Sequence, residues 1–355
     1  MIVGILITQK PTPKEKVVKI GAVLPLTGAA ADIGQKAKRG LEIAEKELKI
    51  KVIYEDSGSD PKQGLSAFRK LITTERDLVG VISMLSGVGN AIIPIAETEK
   101  VVTLHIASAP EMVTGKKFSF RWYITSKEQM KAVVKYLHQQ NVSEKSRIAF
   151  LFINDEYGRG ALKEFTESFK EQFGVEPNLV SEAYEKEQTD FKNILVKLKT
   201  FNPEILAIVG YNKSLGILLK QMREQKIEPR ILTGDDAISY PEILQVAGNA
   251  ADGFVFPGLP LEPKEGEQVS QFFQIYKEQF NEPVSDFALF AYGMAHMFYH
   301  CVINGAKTSE EIANCLETNV FSTPIGEVSF NRETHDGNVP LRMKEIKGGE
   351  VIEHK

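Results

Sequence analysis

Short apolar runs alternate along this chain with longer stretches whose apolar residues recur at helical spacing. The short runs are typical of buried strands, and the longer stretches of amphipathic helices. Since strand and helix alternate twice over, the pattern predicts an α/β protein of two doubly wound lobes with mainly parallel sheets. The predicted strands cover residues 17–24, 50–55, 78–85, 101–106, 147–153, 175–184, 205–210, 230–233, 328–330 and 341–347.

Helices are predicted between these strands and in a block after the second lobe's strands. Asp60, Pro61 and Gln63 form a helix start, with an N-cap acid, a first-position proline and a capping-box glutamine. The predicted helices cover residues 33–48, 60 onwards, 91–99, 127–140, 160–173, 190–200, 214–225, 268–280, 287–304 and 309–318.

The periodic pattern breaks near Tyr123, near Pro257 and near Val328, which predicts three crossings between the lobes. Residues 253–263 are rich in proline and glycine and are predicted to form an extended crossover. The first lobe is then residues 17–124 plus 258–327, and the second is residues 125–257 plus 328–355.

Composition narrows the class of protein. The 355 residues are 43% hydrophobic and 25% charged, as in an ordinary soluble globular protein. A net charge of −4 gives no basic surplus, so we expect no nucleic-acid partner. The only cysteines are Cys301 and Cys315, and the sequence leaves open whether they pair.

The first seven residues are apolar, and the next nine are polar and contain proline. Seven residues cannot span a bilayer, which needs about 20. Two interpretations remain open. Residues 1–7 could be the end of a longer signal or anchor segment, with 8–16 as a stalk, or residues 1–16 could be a simple tail.

Catalytic and cofactor motifs give little support for an enzyme. The sequence has no P-loop, no Gly-x-Ser-x-Gly elbow and no zinc motif. Gly87 and Gly89 follow a predicted strand, but Ile92 stands where a dinucleotide site needs its third glycine. His296 and His300 have metal-ligand spacing on a predicted helix, although helix packing is the simpler interpretation. We therefore expect no cofactor, no metal and no catalysis, the alternative being acid–base chemistry at acids such as Asp155, Glu156 or Asp236.

Two successive strands of the first lobe each stop at a small hydroxyl residue, Ser86 and Ser108. The carboxyl ends of parallel strands lie side by side, at the edge where open α/β folds bind ligands. A helix that begins after Ser86 directs unpaired backbone N–H groups at this edge. The pattern predicts a receptor for a small carboxylate at Ser86, Gly87, Ala107 and Ser108.

Strands of the second lobe end instead in acids and tyrosines, including Tyr157, Tyr211 and Asp236. Such side chains suit a cation beside apolar bulk, so a zwitterion fits between the two lobes. Because neighbouring side chains diverge, we expect Asp236 to reach the cleft and Asp235 to be a solvated loop acid.

Taken in order, seven segments resemble type I periplasmic solute-binding proteins of the branched-chain amino-acid (LIV) family. The likeness runs from about Lys19 to about Glu345. The segments are IGAVLPLTG (20–28), YEDSGSDPKQG (54–64), SGVGNAIIPIAE (86–97), ASAPEM (107–112), FINDEYGRG (152–160), VGYNKSLGILLKQMRE (209–224) and GDDAISYPEIL (234–244).

The resemblance implies roles for individual residues. Hydroxyls matching Ser86 and Ser108 hold the ligand carboxylate, while a backbone carbonyl near Ile106 and an acid matching Asp236 take the ammonium. Tyr157, Tyr211 and Phe287 match aromatic residues that line the site. Ile33 stands where the family often has an aromatic residue, which indicates a differently shaped side-chain pocket.

By this resemblance the chain is expected to be the receptor subunit of an ABC importer. It would bind a free amino acid, apolar or branched-chain, by hinge closure and present it to the permease subunits. We expect a monomer at the periplasmic or extracellular face of the membrane. A ligand-sensing domain of the same fold, for an amide or small carboxylate, is the alternative.

Overall fold

The computed structural model describes residues 17–261 and 269–354 and contains two separate large sheets. The hypotheses on residues 1–16 lie outside this described part. The prediction of an α/β protein with mainly parallel sheets is confirmed. In the described ranges, no helix is long and apolar enough to cross a membrane.

The first sheet has five strands, all parallel, in the order β2-β1-β3-β4-β5. Its third and fourth strands pair side by side, as the sequence predicted, and Met84 lies opposite Ile106. The strands are β1 (Lys19–Leu24), β2 (Lys51–Asp56), β3 (Leu78–Met84), β4 (Thr103–Ile106) and β5 (Ser119–Arg121).

Successive side chains of β1 point to opposite faces of this sheet, and each face packs against its own layer of helices in a separate hydrophobic core. Ile20 and Leu24 face α1 and α10, while Val23 faces α2 and α3. The sheet and its helices form the first lobe, together with the hairpin β11–β12. These elements are α1 (Ala31–Leu48), α2 (Pro61–Thr74), α3 (Ser86–Glu99), α9 (Val269–Phe280), α10 (Asp286–Ile303), α11 (Ser309–Thr318), β11 (Phe321–Thr323) and β12 (Gly326–Val328).

The second sheet has seven strands in the order β14-β13-β10-β9-β8-β6-β7. Five of them are parallel, and the last two strands of the chain add an antiparallel edge. The strands are β6 (Ile148–Ile153), β7 (Leu179–Tyr184), β8 (Ile205–Val209), β9 (Ile231–Gly234), β10 (Phe254–Gly258), β13 (Arg342–Lys347) and β14 (Glu350–Glu353).

Helices on both faces of the second sheet complete the second lobe. Phe150 packs among Phe165 and Phe169 on one face, while Leu151 faces the core on the other. The helices are α4 (Ser126–Gln139), α5 (Glu156–Phe173), α6 (Lys192–Phe201), α7 (Lys213–Glu224) and α8 (Pro241–Ala247), with two short 3-10 turns, Asp236–Ser239 and Gly248–Ala251.

The chain passes between the lobes three times, but the third crossing lies later than predicted. Arg121 at the edge of the first sheet hydrogen-bonds His335 and Gly337, and Phe120 stacks on His335 at 4.2 Å. Residues 335–337 therefore extend the first sheet, and the crossing falls between Gly337 and Arg342. The assignment of residues from 328 onwards to the second lobe is wrong for this segment.

Two other local predictions change, and one open question is answered. Residues 254–258 form β10 and not an extended crossover. Gln63 donates its amide to the Asp56 carbonyl at 3.3 Å, so the helix start at Asp60 has its N-cap but no capping box. Cys301 of α10 and Cys315 of α11, whose pairing the sequence left open, form a disulfide.

Candidate functional site

A cavity of about 240 Å³ lies between the two lobes, at the carboxyl edges of both sheets. Its lining comes from the strand ends of both lobes and from the crossings between them. The ten residues that the sequence singled out all lie on this lining, which does not by itself assign them a role. They are Ile33, Ser86, Gly87, Ile106, Ala107, Ser108, Tyr157, Tyr211, Asp236 and Phe287.

The first-lobe wall is built around the start of α3. This helix begins at Ser86, five residues earlier than predicted from the apolar pattern. The Ser86 hydroxyl accepts the Ala109 N–H at 3.0 Å, which leaves its own hydrogen free to donate. The first N–H groups of the helix have no partner within it, so this corner can bind an anion.

The backbone is strained where α3 begins. Leu85, immediately before the helix, has φ +77° and ψ 135°, a conformation that a leucine rarely adopts. Strained residues of this kind cluster at ligand-binding sites, where the surrounding structure holds them. The strain therefore marks the same corner that the helix N-terminus identifies.

Ser108 has a different hydrogen-bonding state from Ser86. Its hydroxyl donates to the Ile124 carbonyl at 2.7 Å, so its oxygen lone pairs are left for the cavity. Its own carbonyl accepts the N–H and hydroxyl of Ser126, each at 2.8 Å. These bonds fix Ser108 to the first crossing. The pair Ser86 and Ser108 offers one donor and one acceptor, so the expectation that both hydroxyls hold a carboxylate does not fit Ser108, whose hydrogen is already donated.

Two adjacent acids of the second lobe, Asp235 and Asp236, are both buried. Oδ1 of Asp236 accepts the Gln129 amide at 2.7 Å, while Oδ2 of Asp235 accepts the Tyr157 hydroxyl at 2.5 Å and the Gly210 N–H at 3.0 Å. The prediction that Asp235 is a solvated loop acid is wrong. Its strand end is covered, because Tyr157 packs over it.

These acids lie in a region of negative charge. Burial raises the pKa of Asp235 to about 7, although the bonds from Tyr157 and Gly210 counteract the shift. Burial and the charges of Asp286 and Asp235 raise the pKa of Asp236 well above its usual range. No lysine or arginine within the described ranges hydrogen-bonds either carboxylate, so the site favours a ligand that brings a positive charge.

Tyr157 and Tyr211 form the second-lobe wall, with ring centroids 6.2 Å apart. The Tyr211 hydroxyl donates at 2.6 Å to Asp155, which also caps α5 by accepting the Gly158 N–H. Burial raises the pKa of both phenols well above the ordinary value, so they remain neutral donors. Each tyrosine thus presents its ring to the cavity and fixes its hydroxyl on a neighbouring acid.

Two lining aromatics, Tyr123 and Tyr240, were not predicted. Their hydroxyls lie 3.4 Å apart, and Tyr123 donates to the buried Asp286 at 3.1 Å. Phe287 stacks on Tyr123 at 5.6 Å and meets Tyr240 edge-on at 5.3 Å. The position of Tyr123 after β5 could have suggested it, but that strand is too short to show in the apolar pattern.

Polar side chains gather along one further part of the lining. Asn154, Glu156 and Arg159 are exposed there, and Lys186 lies 3.9 Å from Asp155. The two histidines with metal-ligand spacing lie apart from the lining, whereas the acids of the enzyme alternative, Asp155, Glu156 and Asp236, lie on it. His296 is beside Glu47, at 3.8 Å, and His300 packs on Phe321. No group of three or more His, Cys, Asp or Glu side chains in the described ranges could hold a metal.

Comparison with known proteins gives a family match over most of the chain. Residues 17–350 match the family model described as "Periplasmic binding protein". Among curated relatives, a Leu/Ile/Val-binding protein homolog 2 of Brucella abortus is 23% identical, over 94% of this chain and 91% of the relative. A leucine-, isoleucine-, valine-, threonine- and alanine-binding protein of Pseudomonas aeruginosa is 25% identical, over 89% and 86%.

Solved structures share the fold at low sequence identity. The leucine-binding protein LivK of Thermotoga maritima has a TM-score of 0.85 at 22% identity, with 96% of this chain and 98% of that one covered. The branched-chain amino-acid binding protein LivJ of Streptococcus pneumoniae, in complex with isoleucine, gives 0.82 at 24%, with 95% and 98% covered. A solute-binding protein of Rhodopseudomonas palustris in complex with benzoate gives 0.82 at 18%, with 95% of each chain covered.

Proposed function

This chain belongs to the periplasmic binding protein family, a family of solute-binding receptors and not of enzymes, and we propose that it binds a free amino acid in the cavity between its lobes. The observation that carries the proposal is the placement of opposite chemistries on facing walls. The start of α3 suits a carboxylate, and the buried Asp236 suits an ammonium.

The head group would be held from both lobes. Ser86 and the N–H groups after it would donate to the carboxylate, and the Ser108 oxygen would accept from the ammonium. Asp236 would supply the opposite charge, held in place by Gln129. Because these partners belong to different lobes, the ligand would favour the closed arrangement over an open one.

The side chain is proposed to be apolar, branched or aromatic. Ile33, Tyr123 and Phe287 offer apolar surface, as do the rings of Tyr157 and Tyr211. The named ligands of the similar proteins include leucine, isoleucine, valine, threonine and alanine. The wall in this chain combines aromatic and aliphatic side chains, which is consistent with a flat or branched side chain packed against rings.

The partner is proposed to be the permease of an ABC importer, and the location the outer face of the membrane. Both proposals come from the family and from relatives described as transporter substrate-binding proteins. In this role the closed form is the one that the permease would recognise. A single copy of the chain carries both walls of the cavity, so the proposed receptor works as a monomer.

Titration calorimetry with the twenty common L-amino acids tests the amino-acid proposal. We expect saturable binding of at least one apolar or aromatic member, and a higher melting temperature in its presence, by mass action. The matched deamino acid, such as 4-methylpentanoate for leucine, should bind far more weakly because it leaves Asp236 without a counter-charge. No saturation by any amino acid would contradict the proposal.

A small-carboxylate receptor is the second candidate. It is favoured by one observation, the benzoate complex of the R. palustris protein with TM-score 0.82. Binding of benzoate with no response to amino acids would select this candidate. An assay with the permease distinguishes import from sensing. Stimulation of the transporter's ATPase activity by the ligand-bound chain would support import.

A further inference from the structure

The two lobes are joined by an ion pair beside the cavity. Lys36 lies on α1 of the first lobe, and Glu242 in the first turn of α8 of the second lobe. Their Nζ and Oε2 atoms are 2.6 Å apart, and the two side chains are only 12% and 13% exposed. An opening of the cleft would separate the two charges, because they are attached to different lobes.

This pair also contacts the cavity wall. The Lys36 ammonium lies 5.7 Å from the centroid of the Tyr240 ring, which lines the cavity and packs against Phe287. The cation is attracted to the face of this ring. The ion pair and the proposed ligand would therefore act on opposite sides of one tyrosine.

Glu242 depends strongly on this lysine. Its second oxygen, Oε1, is buried and has no hydrogen-bond partner in the part of the chain that the structure describes. A carboxylate in this position is costly without a cation, because little water reaches it. Removal of Lys36 would leave the charge of Glu242 unpaired in the closed form, whereas an open form would expose it to water.

We infer that Lys36 and Glu242 form a closure latch, an ion pair that stabilises the closed arrangement of the two lobes. Lys36 is then a positioning residue, which raises ligand affinity by holding Tyr240 in place and by favouring the closed state. The inference rests on the proposed function, since it assumes a ligand in this cavity. It adds a determinant of affinity that does not touch the ligand. Loss of either partner would weaken ligand binding, because the closed state that binds the ligand would become less populated.

A second pair between the same two lobes provides a matched control. Asp32, one turn before Lys36 on α1, lies 3.1 Å from Lys213 of α7, but these side chains are 57% and 55% exposed. Exposed ion pairs contribute little because water and salt screen them. The pair therefore controls for the loss of a charge on each lobe at the same interface without the burial that distinguishes Lys36 and Glu242.

The test compares L-leucine binding by the single variants Lys36→Met and Glu242→Met, the double variant, and the controls Asp32→Asn and Lys213→Met. Each single latch variant should weaken binding about tenfold or more and speed ligand release. The double variant should recover to within about threefold, because it replaces both charges with apolar groups. The control variants should stay within about twofold.

Three results would overturn the latch. These are single variants with unchanged affinity, a double variant whose loss is the sum of the two singles, or control variants that lose as much. Unchanged melting temperatures of the ligand-free variants would exclude simple misfolding. If the unmodified chain fails to bind any amino acid, the proposed function fails and the latch is still tested: small-angle scattering of the ligand-free variants should show a larger radius of gyration than the parent, and equal radii would refute it.

Discussion

The hydroxyl of Tyr157 donates a hydrogen bond of 2.5 Å to Asp235, which lies 78 residues further along the chain and has no exposed surface. Tyr157 lines the cavity, and this bond to a buried acid fixes its position there. The adjacent Asp236 instead accepts from Gln129 and keeps slight exposure, 7%. One of the two neighbouring acids thus supports the wall, and the other can meet a ligand.

Replacement of Asp236 by Asn should weaken amino-acid binding by about 2 kcal/mol or more, because the ligand ammonium would lose its counter-charge in a dry cleft. Calorimetry with the ligand found by screening measures this loss. The exposed Asp190→Asn variant serves as the control and should bind normally. Normal affinity of the Asp236→Asn protein would mean that the ammonium site lies elsewhere.

The contribution of Asp235 to the stability of the ligand-free protein should fall as the pH rises from about 4 to about 7, opposite in sign to that of buried His105, whose pKa is lowered to about 3. The folded-state pKa of Asp235 is raised by burial to about 7, so the folded chain holds a proton that the unfolded chain has already lost. Over this range Asp235 alone would lower the free energy of unfolding by up to about 4 kcal/mol.

Urea unfolding at several pH values checks this dependence. Relative to the parent, the Asp235→Asn variant should gain free energy of unfolding as the pH rises from about 4 to about 7, because an amide does not titrate. The exposed Glu171→Gln variant should follow the parent curve. Identical slopes for Asp235→Asn and the parent would show that burial does not raise the pKa of Asp235 above its value in the unfolded chain.

Replacement of Gly160 by Ala should hinder closure of the lobes. A Cβ atom at Gly160, on α5 of the second lobe, would lie 2.8 Å from Cδ of Pro110 in the first. Overpacking of this kind costs about 1–3 kcal/mol, which here would appear as weaker ligand binding. The ligand-free melting temperature should not fall, because alanine favours a helix over glycine by up to about 1 kcal/mol.

The exposed Lys163→Ala variant on the same helix is the comparison for this experiment. It should leave both affinity and melting temperature close to those of the parent. If Gly160→Ala binds as tightly as Lys163→Ala, then Pro110 moves aside at little cost and the contact does not limit closure.

Loss of the disulfide should lower stability without changing affinity. Cys301 and Cys315 are 14 residues apart, and a cross-link of this loop length contributes about 3 kcal/mol. Phe287 at the cavity lies at the other end of α10, about 20 Å away along the helix. Urea unfolding of the Cys301→Ser, Cys315→Ser double variant measures the loss of stability, and calorimetry measures its ligand affinity. A loss of affinity would contradict the prediction that the disulfide does not influence the cavity.

Much of the candidate site could be predicted from strand ends alone. Ser86 and Ser108 follow β3 and β4, which pair side by side as the apolar runs indicated. Tyr123 escaped prediction because it follows β5, a strand of three residues with too few positions to show a pattern. The third crossing was misplaced because residues 335–337 join the first sheet only through contacts with Arg121, which lies far away in sequence.

The sequence by itself determined the α/β class with mainly parallel sheets, the side-by-side placement of β3 and β4 and the residues at the strand ends. It could do so because hydrophobic periodicity is local, and because parallel strands of one sheet bring their carboxyl ends to one edge. Only the tertiary structure decided that Asp235 is buried under Tyr157 and that Lys36 meets Glu242. Such contacts join residues from separate elements, so they depend on how helices and lobes pack and not on any pattern within a single segment.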